Sequence, residues 1–197
     1  MVRTGQWSRA ALLATWAAIS STSAAAAGAP LVVHVDDRVG VPADDLAVVK
    51  RQVEEIFADA GVSIVWKEGR FPASVAATIT AGLAAREVAV MLVNNTDDPL
   101  PGASGCTLGF AAKRPAVAYA YHNRIDEQST LNAIDARVLL GRVIAHELGH
   151  VFLPPNSHSL HGIMRGNIDL GLKNPDRFTR EQARVIRAVL TGSVVSH

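Results

Sequence analysis

The chain has 197 residues, of which 49% are hydrophobic and 19% charged, and its formal net charge is +1. This length suits one domain, and the apolar fraction excludes a disordered chain. The balanced charge excludes a nucleic-acid binder that works by bulk electrostatics, and the lone Cys106 excludes both an intramolecular disulfide framework and a cysteine-rich metal cluster.

Residues 1–27 have the three parts of a secretory signal peptide. Arg3 and Arg9 give a positively charged start, residues 10–19 form a short apolar segment, and a run of alanines supplies the small residues of a cleavage site. The apolar segment is too short to span a bilayer comfortably, and no later segment is long and apolar enough to do so. We therefore expect cleavage, export to the periplasm or the cell exterior, and a mature domain of residues 28–197 without a membrane span.

The first part of this mature domain alternates strands with a helix. Short apolar or β-branched runs predict strands at 31–35, 62–66, 87–93, 107–111 and 116–121. Between the first two runs, apolar residues recur at three- and four-residue steps from Leu46 to Ala60. This spacing predicts a helix that Pro42 opens and Gly61 ends. The run Glu87–Val93 is nearly all apolar, which predicts a central strand buried on both faces.

The second part is mainly helical. Its pattern predicts one long helix over about 130–153, ended by a pair of prolines, and then an irregular stretch over 154–177. A last helix begins near Thr179, because Thr179 and Gln182 fit a capping box. Its apolar stripe consists of Ala183, Ile186, Val189 and Leu190. Strands followed by such helices predict an α/β layer structure with a mixed sheet.

The long helix contains the sequence His146-Glu147-Leu148-Gly149-His150. Residues four apart share one face of a helix, so both imidazoles can reach one metal ion at about 2.0–2.1 Å. Glu147 projects beside them and can accept a proton from a metal-activated water, because zinc lowers the pKa of such a water to about 7. The motif predicts a zinc centre with Glu147 as the general base. The alternative is that the two histidines simply pack within a buried helix.

A catalytic zinc site needs a third protein ligand, which must come from beyond these two histidines. The motif is followed by His158-Ser159 and then by Gly162-Ile163-Met164. This arrangement resembles the metzincin clan of zinc metallopeptidases, and its matrixin branch most of all. The resemblance implies that His158 is the third zinc ligand and that Met164 lies in a methionine-containing turn beneath the metal.

The chain departs from the metzincin pattern at two positions. Leu153 stands where the clan has a glycine, and Asn156 stands where it has the third histidine. His158 follows two residues later, which we interpret as a two-residue insertion, with Pro154 and Pro155 reversing the chain in place of the glycine. The alternatives for the third ligand are His161, Glu181 and Asp169.

The metzincin resemblance also implies a fold and an activity. The fold is an α/β (α+β) domain, in which residues 28–153 place a mixed, mostly parallel sheet of about five strands on the active-site helix and residues 154–197 form a small lower part. Gly109, Phe110 and Ala111 would belong to an antiparallel edge strand that binds an extended peptide. The implied protein is a secreted or periplasmic zinc metalloendopeptidase with one catalytic Zn²⁺, acting as a monomer on peptide or protein substrates.

Two other functions stay open. One is a peptide-binding module with a structural or remnant zinc site, which the displaced third histidine favours more than a closer match would. The other is a zinc hydrolase of a non-peptide amide, such as a cell-wall fragment. Asp126 and Asp135 are candidates for orienting a ligand histidine, although nothing in the sequence selects either.

Overall fold

The computed structural model of the chain describes residues 30–69, 86–94, 107–114, 116–166 and 177–193. The signal peptide, Cys106 and Asp169 lie outside these described residues, so the expectations about them stay predictions. Within the described ranges, no helix has both the length and the hydropathy that a membrane crossing requires.

The described residues form five strands and four helices. The strands are β1 (Leu31–Asp37), β2 (Ile64–Glu68), β3 (Glu87–Val93), β4 (Gly109–Lys113) and β5 (Ala116–Tyr121). The helices are α1 (Ala43–Asp59), α2 (His122–Leu131), α3 (Ala136–Phe152) and α4 (Arg180–Thr191).

The strands form one mixed sheet in the order β2-β1-β3-β5-β4. The first four strands of this order are parallel, whereas β4 pairs antiparallel with β5, with Phe110 opposite Tyr119. The predicted fold class is therefore confirmed, including the central position of β3, whose Val88, Val90 and Leu92 have no exposed surface. The edge strand is shifted relative to the prediction, because it begins at Gly109 and continues to Lys113.

Helix α3 lies at the centre of the helical layer. It packs against α1 and against β4 and β5, and every residue from Leu139 to Gly149 is buried. On α1, the predicted stripe is confirmed by Val49, Val53 and Phe57, which have no exposed surface. Complete burial of one such side chain contributes about 1.5–3 kcal/mol, so the position of α3 is strongly fixed.

The long helix predicted over 130–153 is found as α3, but the predicted start is wrong, because α3 begins at Ala136 and the preceding α2 (His122–Leu131) was not predicted. The break follows Leu131, where Ala133 takes a left-handed φ of 52°. Asp135 then caps α3, since its Oδ1 accepts a hydrogen bond from the Arg137 backbone at 2.9 Å.

Helix α4 begins as predicted. The Thr179 hydroxyl accepts a hydrogen bond from the Gln182 backbone at 3.2 Å, and the Gln182 side chain accepts one from the Thr179 backbone at 2.9 Å. The predicted stripe is wrong in one residue, because Val189 is 44% exposed. Ile186 and Leu190 define the buried face, and Val189 is rotated by about 100° from Leu190 around the helix axis.

Candidate functional site

Three imidazoles converge at the C-terminal half of α3. The Nε2 atom of His150 lies 3.0 Å from Nε2 of His146, one helical turn earlier, and 3.0 Å from Nε2 of His158 in the following loop. All three ligand atoms lie within 4.8 Å of one another. Within the part of the chain that the structure describes, these residues are the one group of histidine, cysteine or carboxylate side chains arranged to hold a metal ion.

The cluster fits a zinc ion by its donor set and spacing. Two nitrogens bound at 2.0–2.1 Å to a tetrahedral zinc lie about 3.3 Å apart, close to the two observed spacings. A neutral imidazole carries one N–H, so Nε2 of His150 can donate to only one of its two neighbours. Three histidines that leave a fourth position open are also the ligand set of many catalytic zinc sites.

A backbone carbonyl fixes the orientation of His146. Its Nδ1 lies 2.8 Å from the Ile163 carbonyl oxygen, which can only accept, so Nδ1 carries the proton and Nε2 keeps its lone pair. Burial lowers the pKa of His146, which favours the neutral form that binds metals. The two candidate orienting carboxylates make other contacts, because Asp126 pairs with the side chain of His122 and Asp135 caps α3.

His150 is also held in its neutral form. Burial and, to a smaller extent, the nearby charges of His146, His158 and Lys113 together lower its pKa to about 4. His158 is the most exposed of the three histidines. The cluster therefore has a buried side on α3 and an open side toward solvent, which gives a ligand or substrate access to it.

The turn before His158 differs in detail from the predicted one. Helix α3 ends at Phe152, and Leu153 is extended, as expected for a residue before proline. The chain then reverses at Asn156, which has a left-handed φ of 59°. Asparagine adopts this conformation more readily than most residues, so Asn156 supplies the reversal that we had assigned to the two prolines alone.

The segment that carries His158 is held by one hydrogen bond within its own loop and one from α4. The Ser159 backbone donates to the Met164 carbonyl at 2.8 Å, which closes the loop on itself. The side chain of Gln182 on α4 donates to the Ser157 carbonyl at 3.0 Å. These two bonds position Ser157 and Ser159, the neighbours of His158. Neither bond was predicted from the sequence motif.

The alternative third ligands do not join the cluster. His161 is exposed, and its carbonyl accepts a hydrogen bond from the Ser159 hydroxyl at 2.7 Å. Glu181 lies exposed on α4, where its Oε1 is 2.6 Å from Nη2 of Arg184. Asp169 is outside the described residues. Among the candidates that can be located, His158 is therefore the one that meets the two α3 histidines.

Met164 packs beneath the helix that carries the motif. It has no exposed surface, and a Cβ atom added at Gly149 would overlap its sulfur and lie 2.9 Å from Cε1 of Phe178. Gly149 therefore allows Met164 and Phe178 to approach α3 closely, on the turn between the two α3 histidines. This role of Gly149 could not be predicted from the sequence, because it depends on contacts with residues far along the chain.

Glu147 lies between α3 and the edge strand. It is 7% exposed, and burial raises its pKa to about 8. A Cβ atom at Gly109 would lie 2.7 Å from Cγ of Glu147 and 2.9 Å from its Oε1. Only glycine therefore allows the β4 backbone to lie this close to the carboxylate. Gly109 thus also provides space for Glu147, a role that was not predicted from its position in the edge strand.

These groups line one cavity of about 790 Å³. Residues of β4, the three histidines, Glu147, Pro154 and Pro155 line it. The cavity is large enough for several atoms of a bound chain, and it runs along a strand edge. The arrangement can thus present an extended ligand to a metal ion and a buried carboxylate.

Comparison with known proteins identifies the fold. No protein-family model matches the chain, and no curated protein sequence matches it. A solved zinc-dependent peptidase from Methanocorpusculum labreanum aligns with a TM-score of 0.52 and 16% identity over 78% of this chain and 99% of its own. An archaemetzincin from Methanopyrus kandleri aligns with a TM-score of 0.52 and 19% identity over 82% of this chain and 96% of its own. The chain therefore has the mixed α/β fold of these proteins.

Proposed function

We propose that the chain is a zinc-dependent metalloendopeptidase of metzincin type, with one zinc ion held by His146, His150 and His158. The observation that carries this proposal is the convergence of their ligand nitrogens within 4.8 Å, beside the buried Glu147. The fold shared with a zinc-dependent peptidase and an archaemetzincin supports it. The resemblance to the matrixin branch in particular stays a prediction.

The proposed reaction is hydrolysis of a peptide bond, with Glu147 moving the proton. Zinc, when bound, would supply Lewis-acid polarisation of the scissile carbonyl and would acidify the attacking water. Glu147 takes a proton from that water as the oxygen bonds to the carbonyl carbon, and it then delivers the proton to the departing amine nitrogen. The C–N bond breaks, and the products are a carboxylate and an amine.

Strand β4 is the proposed platform for the peptide. In the described part of the sheet, β4 pairs only with β5, so its other edge can pair with an added strand. An extended peptide bound there would gain backbone hydrogen bonds without needing a particular sequence. Gly109, Phe110 and Ala111 would then guide the peptide across the opening above Glu147 and the histidines.

The test combines metal analysis with a cleavage assay on the mature chain. We expect one zinc per chain, cleavage of members of a peptide library, loss of cleavage on removal of the metal with a chelator, and recovery on addition of zinc. Stoichiometric zinc without cleavage of any peptide would instead support a peptide-binding module. Cleavage of cell-wall muropeptides but not of peptides would support a hydrolase of non-peptide amides.

Replacing Gly109 with alanine should reduce kcat at least about tenfold while zinc content is retained. The added Cβ would lie 2.7 Å from both Cγ of Glu147 and the Tyr119 carbonyl oxygen on β5, so the Glu147 carboxylate or the β4 backbone must move. Misplacement of a catalytic group by about 1 Å can cost about 10²-fold in rate. Ala112→Ser is the matched control, because its side chain lies on the opposite face of β4. An unchanged kcat in a folded Gly109→Ala protein would remove Gly109 from the site.

We also propose that residues 1–27 are a cleaved signal peptide and that residues 28–197 form a single monomeric domain. The positively charged start, the short apolar segment and the alanine run support export. The mass of the exported chain tests this proposal, because cleavage after the alanines would leave Gly28 as the first residue.

A further inference from the structure

The end of the edge strand places one cation in the cavity. Lys113 is the last residue of β4 and lies on the same face of the strand as Gly109 and Ala111. It lines the cavity together with the histidine cluster and Glu147. Among the described residues that line this cavity, Lys113 is the only lysine or arginine.

The position of the Lys113 ammonium is fixed by the end of α3. Its Nζ donates a hydrogen bond to the Leu153 carbonyl, at the negative end of the helix dipole. An ammonium carries three N–H groups, and this contact uses one of them. Lys113 can therefore bind a second acceptor without leaving Leu153.

The direction of β4 determines which part of a substrate would pass Lys113. Antiparallel pairing is the more stable way to add a strand. Along β4 the cavity runs from Gly109, beside Glu147, to Lys113, beside Leu153. An antiparallel peptide therefore has its scissile bond near the first of these residues and its N-terminal segment near the last. Four residue steps along β4 span about 13 Å, so Lys113 faces the substrate about two to four residues before the scissile bond.

We propose that Lys113 is a specificity-determining residue that selects an acidic side chain about two to four residues N-terminal to the scissile bond. This inference rests on the proposed endopeptidase function. A carboxylate at that place adds a charge-assisted hydrogen bond to the ammonium, whereas a lysine there repels it. Because the cavity is open, the expected discrimination between glutamate and lysine is about fivefold in kcat/KM, and added salt weakens it.

The experiment compares matched fluorogenic peptides that carry glutamate, glutamine or lysine at each of the second to fourth positions before and after the scissile bond. Wild type should favour glutamate on the N-terminal side. Lys113→Glu should reverse this order and favour lysine. Arg114→Glu is the matched control, because Arg114 is the next residue and exposed but does not line the cavity. It makes the same change in net charge and should keep the wild-type order.

A purely structural role for Lys113 gives a different result. If Lys113 only holds Leu153, Lys113→Met would lower the melting temperature or kcat equally for all peptides and leave their order unchanged. That result would overturn the inference, as would an unchanged order in Lys113→Glu or a preference for acid on the C-terminal side. Under the proposal, Lys113→Met removes the charge order among the peptides, whatever its effect on the overall rate.

Binding measured without turnover separates this inference from the proposed function. Fluorescence anisotropy of the same peptides on zinc-loaded Glu147→Gln should show the same charge order as the kcat/KM values. Peptides cleaved or bound without any charge order would overturn only the role of Lys113. A zinc-loaded wild-type protein that neither cleaves nor binds any peptide would overturn the endopeptidase proposal, and the Lys113 inference with it.

Discussion

Replacing Glu147 with glutamine should leave the zinc content unchanged and lower kcat/KM for peptide cleavage by about 10²–10⁴-fold. General acid–base catalysis by one positioned group contributes about this factor, and an amide cannot accept the proton of the attacking water. Glutamine has nearly the same shape as glutamate, so it should keep the packing against Gly109. Zinc content by mass spectrometry and initial rates on a cleaved peptide measure the two effects separately.

The Glu147→Gln substitution should not lower the stability of the folded protein. Glu147 is 7% exposed, and burial of an ionised carboxylate opposes folding unless the group is paired. The neutral amide avoids that cost, so the melting temperature of the zinc-free protein should be equal to or above that of wild type. The matched control is Glu181→Gln, which makes the same chemical change at an exposed position on α4. Full activity in Glu147→Gln would remove Glu147 from the reaction.

Local pattern was sufficient to predict most of the fold. Each strand overlaps a short apolar or β-branched run, and the nearly unbroken apolar run Glu87–Val93 indicated a central strand. The helix α2 and the start of α3 were missed, because the signal that separates them is a single capping aspartate, Asp135. Apolar periodicity measures burial of a face and does not detect a cap within a continuous helical stretch.

The parts of the site that depend on the spacing of residues within one helix could be predicted from the sequence. The parts that depend on contacts between residues far apart in the chain could not. Two histidines four residues apart must share a helix face, so their convergence followed from the sequence. The hydrogen bond from His146 to the Ile163 carbonyl could not be predicted. Every residue has a backbone carbonyl, and the type of side chain does not indicate which carbonyl accepts the bond. The role of Gly109 depends on the packing of β4 against α3, which cannot be predicted from the residues of the strand alone.

The last helix connects the metal cluster to the rest of the fold. Gln182 makes two separate bonds, since its Oε1 accepts from the Thr179 backbone and its Nε2 donates to the Ser157 carbonyl. The first bond starts α4, and the second holds the loop that brings His158 to α3. The capping box was read as a helix signal alone, yet the same side chain also positions the residue before His158.

Replacing His158 with alanine should weaken zinc binding by at least about 100-fold, because two imidazoles on one helix leave the ion with too few protein ligands. Competition with a chelator of known affinity measures this loss. Thermal unfolding gives a second measure, since zinc at 100 times its Kd stabilises wild type by about 2.7 kcal/mol and should stabilise the variant far less at the same concentration.

The controls for this prediction are the two other located candidates for the third ligand. His161→Ala and Glu181→Ala should both keep wild-type zinc affinity, because the first side chain is exposed outside the cluster and the second pairs with Arg184. Loss of zinc in Glu181→Ala with retention in His158→Ala would contradict the assignment, because the ion would then be held by a carboxylate from α4. His158 is the exposed member of the cluster, so its replacement should leave the folded, zinc-free protein nearly as stable as wild type. A loss of zinc affinity in His158→Ala can therefore be separated from a loss of fold.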